Sequence, residues 1–101
     1  MQIRISSSSQ LDLEKAQQVV MYYHIQLEDQ LRMLKLNLSH VLDSKGKIIF
    51  RLKLDATHLS GQIITIEELQ SDLQTATNRI LNRLIRMTRR SMSQDRIYNI
   101  L

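Results

Sequence analysis

The chain has no cysteine, no proline and no tryptophan, and only two glycines among its 101 residues. Without cysteine there can be no disulfide, thiolate zinc site, iron–sulfur cluster or cysteine nucleophile. This composition leads us to expect a cytoplasmic protein, in which Asn37-Leu38-Ser39 is a chance sequon. Without proline, Pro-rich linkers are excluded. Apolar runs are short: none approaches the roughly 18–20 residues that span a bilayer. The opening residues MQIRISSSS lack the basic-then-apolar layout of a secretory signal, so no membrane partner is expected. The serines at 6–9 have no glycine beside them, which removes both a phosphate loop and a nucleophile elbow.

What is present suits one small domain. Apolar residues make up 43% and charged residues 24%, too hydrophobic for a disordered chain. The formal net charge is +4, and its location matters more than its size. Basic and acidic groups balance over residues 1–46 and again over 47–68. The excess lies in the last third, carried by Arg79, Arg83, Arg86, Arg89, Arg90 and Arg96 against Asp72 and Asp95. Arginine presents a planar fork that fits phosphate oxygens better than a lysine ammonium does. A one-sided basic field is the usual footprint of a polyanion binder; the plainer alternative is a solvated helix face.

The apolar period changes along the chain. Ile3 and Ile5 alternate and predict a short strand. Ser9 or Asp12 caps a helix whose face runs through Leu13, Ala16, Val20, Tyr23 and Leu27. Leu34, Leu36 and Leu38 then alternate with polar residues, as do Ile48, Phe50, Leu52 and Leu54, and later Ile64 and Ile66. Turns are expected at Asp43–Gly46 and Thr57–Gly61, where the two glycines fall. Ser71-Asp72-Leu73-Gln74 reads as a capping box that starts a final helix. On that helix Leu73, Ala76, Ile80, Leu84 and Met87 are expected to be buried. Arg79, Arg83, Arg86 and Arg90 form a stripe about 110° away, with Arg89 off it towards Asn78 and Asn82. The expected fold class is α+β: a two-layer β-α-β-β-β-α domain over residues 1–91, its four-stranded sheet carrying both helices on one face, then a short tail over 92–101.

This order and the last helix resemble the short-form ribosome hibernation-promoting factors, or ribosome-associated inhibitors, whose domain is close to a double-stranded-RNA-binding domain. The opening Met1-Gln2-Ile3-Arg4-Ile5 matches the family's first strand, and Asp72, Leu73, Ala76, Asn78, Ile80, Leu81, Asn82, Arg83 and Leu84 fill its last-helix pattern without a gap. Arg86, Arg89 and Arg90 stand at its basic positions. The likeness covers roughly residues 1–92 and is specific over 61–90. Gln74 stands where the family has an aromatic residue, and Tyr22, Tyr23 and His24 stand where its first helix carries lysines. The resemblance implies occupation of the decoding region of the small ribosomal subunit, on 16S-type rRNA, with silencing of translation under stress or in stationary phase.

The expected RNA-binding residues are Arg79, Arg83, Arg86, Arg89 and Arg90, with Lys35, Arg51 and Lys53 on the outward sheet face as a second contact. Arg83, Arg86 and Arg90 are expected to matter for binding and hardly for folding. His24, His40 and His58 are too scattered for a metal, and His40 is expected to be half-buried in a strand. Glu67 and Glu68 point to opposite strand faces and read as a solvated strand end. Met21, Met33 and Met87 are expected in the core, and Tyr23 in helix packing. No catalytic residue, metal, cofactor or small-molecule substrate is expected, and no enzyme. Two alternatives remain: a structured-RNA binder with another target, or a small protein-interaction module using the tail Ile97–Leu101.

Overall fold

The computed structural model describes residues 1–100, with side chains to residue 89. The elements run β1 (Gln2–Ser6), α1 (Gln10–Leu27), β2 (Leu31–Leu42), β3 (Ile48–His58), β4 (Ile63–Gln70) and α2 (Leu73–Ile100). The sheet order is β1-β2-β3-β4, with β1 parallel to β2 and the other pairs antiparallel. This is the expected α+β fold. The α2 backbone continues to Ile100, through most of the segment expected as a tail. Arg90, Arg96 and the Ile97–Leu101 side chains lie outside the described residues.

Local chemistry sets the boundaries. The Ser9 hydroxyl accepts from the Asp12 N–H at 3.3 Å and caps α1. Gly46 and Gly61 take positive φ, 78° and 93°, where a Cβ would be strained. Ahead of Gly46 the Asp43 carboxylate accepts from the Lys45 and Lys47 N–H groups, each at 2.8 Å, closing the β2–β3 turn. At α2 the cap is Asp72, one residue later than the Ser71 box predicts. Its carboxylate accepts from the Thr75 N–H at 2.8 Å and the Thr75 hydroxyl at 2.7 Å. These bonds, with the nearby charge of Lys15, hold the Asp72 carboxyl below its ordinary range.

The alternating leucines do what their period requires. Leu34, Leu36, Leu38, Leu52, Leu54, Ala56, Ile64 and Ile66 are buried under both helices. Helix α1 contributes Ala16, Val20, Tyr23 and Leu27; α2 contributes Leu73, Ala76, Ile80, Leu81, Leu84 and Ile85. The buried side of α2 is rotated from the expected one. Leu81 and Ile85 are inside, whereas Met87 is 38% exposed. The rotation arises because α2 packs on α1 as well as on the sheet, so it buries two adjoining flanks. Met21, likewise expected in the core, is exposed on α1, and Met33 is half-buried on β2. His40 is exposed rather than half-buried. It lies past the start of α1, with Nε2 at 3.1 Å from the Asp12 carboxylate and its ring against Phe50.

The two helices are also tied through the Tyr23 side chain. The buried Tyr23 hydroxyl donates to Asn78 Oδ1 at 2.9 Å and accepts from Asn82 Nδ2 at 3.3 Å. Tyr23→Phe should lower stability by about 1 kcal/mol, the usual cost of removing one such partner. Chemical denaturation measures it, and an unchanged midpoint would show that water replaces the hydroxyl without loss.

Candidate nucleic-acid interface

The face of α2 turned away from the core carries the arginines, and its geometry divides them. Arg83 lies on the β4 side, where its Nη1 donates to Glu68 Oε2 at 2.6 Å and to the Glu67 carbonyl at 3.0 Å. Arg79 sits one turn earlier, its Nε 3.2 Å from Glu68 Oε1. Arg86 and Arg89 lie further along, lining an open groove with Gln26 of α1, Asn82 and Ile85. Among the described residues neither of these two has an ion pair. The groove therefore offers two guanidinium groups beside two amides, a set of donors suited to phosphate oxygens.

Glu68 is the residue that sequence reasoning missed. It is not part of a solvated strand end: its side chain is only 9% exposed, on the helix-facing side of β4. The signal was its phase, since Glu68 continues the Ile64, Ile66 alternation that faces the core. A carboxylate there must be paired. Burial alone pushes its carboxyl up. The hydrogen bonds from Arg83 and Gln70 and the charges of Arg83 and Arg79 outweigh that and hold it below its ordinary value. Arg83 is consequently not a free surface cation, and replacing it disturbs a buried charge. This corrects the expectation that Arg83 is irrelevant to folding.

A lowered folded-state pKa has a definite sign. The stability it adds is complete above the unfolded value, near 4.5, and is lost as pH falls through the folded value. Thermal melts should therefore decline below about pH 4.5, and Glu68→Gln should flatten part of that decline; Asp72 supplies a further part with the same sign. Identical acid limbs in the two proteins would remove Glu68 as a cause.

Lys35, Arg51 and Lys53 stand on the opposite, uncovered sheet face, so the structure does not bring them to the α2 arginines. Arg51 is held by Glu67 through Nε at 3.0 Å and Nη2 at 3.3 Å. Lys35 is in register with Asp55, and Lys53 with Glu67. Exposed Arg4, in register with Lys35, adds a fourth cation, so Asp55 and Glu67 offset the positive charge of this face only in part.

The fold has a clear likeness among solved structures. The crystal structure of the Thermus thermophilus Protein Y N-terminal domain superposes with a TM-score of 0.62, at 21% identity, over 89% of this chain and 98% of that one. The two share the β-α-β-β-β-α fold. No family model and no curated protein matches the chain. At this identity the likeness carries the fold, and residue roles rest on the geometry above. Among the described residues no His, Asp or Glu cluster could hold a metal ion, and no helix is long and apolar enough to cross a membrane.

Proposed function

We propose that this protein is a ribosome-associated hibernation factor that binds rRNA of the small subunit at the decoding region and silences translation, without catalysis. The observation that carries the reading is the outer face of α2, where Arg79, Arg86 and Arg89 are exposed and Arg83 is half-exposed along one helix. Guanidinium groups on that line can follow a phosphate backbone by charge and shape, with no need to read bases. Two further points support it: the last-helix residues that resemble the hibernation-promoting factors, and the fold shared with the Protein Y domain. Exposed Tyr22 on α1, beside Asn78 and Gln74 of α2, gives an aromatic surface on which an unpaired base can stack.

Helix α1 is not basic, and Leu11, Met21, Tyr22 and Ile25 are exposed on it. In this reading α2 supplies the electrostatic attraction and α1 contributes contact area. Sedimentation of the protein with purified small and large subunits tests it. Pelleting with the small subunit, together with a dose-dependent fall in cell-free translation, is expected. Equal recovery with both subunits, or translation unaffected at saturating protein, would refute the reading.

A further inference from the structure

The Glu68 contacts have a consequence for binding as well as for stability. Glu68 Oε2 accepts from Arg83 Nη1 at 2.6 Å and Oε1 from the Gln70 side-chain amide at 3.2 Å, while Arg79 Nε stands 3.2 Å from Oε1 as an ion pair. The carboxylate is buried, but the side chains of Arg79 and Arg83 remain 62% and 43% exposed. The Arg79 contact is an ion pair through Nε and not a hydrogen bond, so its guanidinium N–H donors are not committed to Glu68. Arg83 keeps Nε and Nη2 uncommitted to Glu68. Two arginines against one carboxylate leave a local excess of one positive charge, enough for one phosphodiester. A long exposed arginine normally loses rotamer freedom when it binds, and one already anchored by a buried acid has lost part of it beforehand.

We propose that Glu68 is a positioning residue for phosphate, fixing Arg79 and Arg83 on the outer face of α2 so that their remaining N–H edges take one phosphodiester of the RNA backbone. This rests on the RNA-binding reading above. It separates sharply from a charge-only account. Glu68→Gln raises the net charge by one, so simple electrostatics predicts tighter RNA binding and a steeper salt dependence. Positioning predicts the reverse: affinity for a structured rRNA fragment weaker by roughly 3- to 10-fold, because the ordering cost returns to the binding step.

The test compares the parent, E68Q and R79K by fluorescence anisotropy on one folded rRNA fragment, with melts confirming that each is native at the assay temperature. R79K keeps the charge at an exposed site but cannot hold the acid and present a fork together, and it gives the same reading should E68Q fail to fold. Weaker binding by every variant that melts as native, with a shallower salt slope, supports the proposal. In an R79Q/R83Q background, E68Q should change affinity by less than about two-fold, which a purely structural role of Glu68 would not produce. Binding by native E68Q or R79K as tight as the parent's, or tighter, overturns the positioning role while leaving the RNA-binding reading intact. No binding by the parent overturns both.

Discussion

Leu84→Ala should cost roughly 2–5 kcal/mol, the range for truncating a fully enclosed leucine whose site cannot collapse. Leu84 is 0% exposed, among the residues where α2 meets the rest of the core. Domains of this size hold only about 5–15 kcal/mol in total, so the melting temperature should fall by more than about 10 °C. Met87→Ala, three residues on and in the same apolar series, should cost far less, since Met87 is 38% exposed. Thermal melts of the two variants separate the observed buried flank from the one that spacing alone suggests. Equal losses would place the buried side of α2 wrongly.

Arg86→Gln combined with Arg89→Gln should do the opposite. Stability should stay within about 0.5 kcal/mol of the parent, because both side chains are exposed and among the described residues neither has an ion pair. Glutamine keeps the helix propensity while removing the charge. Binding to structured rRNA should weaken by about 10-fold or more at moderate salt. The slope of log affinity against log salt should become shallower by roughly one to two, one increment for each phosphate left without its arginine. Filter binding across a salt series measures both. Retained affinity in a protein that melts normally would mean that the groove between α1 and α2 is a solvated surface and the RNA binds elsewhere.

The fold was largely legible because its signals are local. The alternation Leu34-Leu36-Leu38, the helical spacing Ala16-Val20-Tyr23-Leu27 and the two positive-φ glycines each fix an element without reference to the rest of the chain. What escaped depends on residues far apart in sequence. Leu81 and Ile85 are buried because α2 sits against α1 as well as the sheet, which no single helix pattern reveals. The Tyr23 hydroxyl finds Asn78 and Asn82 across 55 and 59 positions of chain. The cap fell on Asp72 rather than Ser71 because the aspartate carboxylate captures the Thr75 N–H itself.

The candidate site was legible as a list of arginines but not as an arrangement. Their spacing placed Arg79, Arg83 and Arg86 on one stripe with Arg89 off it, and the structure keeps Arg79, Arg86 and Arg89 exposed. It could not show that Arg79 and Arg83 share a buried acid, since that acid belongs to the neighbouring strand. It did place Lys35, Arg51 and Lys53 on the sheet face away from the helices, where the structure finds them, but not the ion pair by which Glu67 holds Arg51. Charge read along a chain gives the sign of a field; only the fold decides which cations remain to act on a partner.

The most direct test of the central claim is the equilibrium affinity of the unchanged protein for isolated small ribosomal subunits, measured across a potassium chloride series. With three to four arginine–phosphate pairs along α2, log affinity should fall against log salt with a slope of roughly −2 to −4. A flat response, or no saturable binding at low salt, would contradict the account.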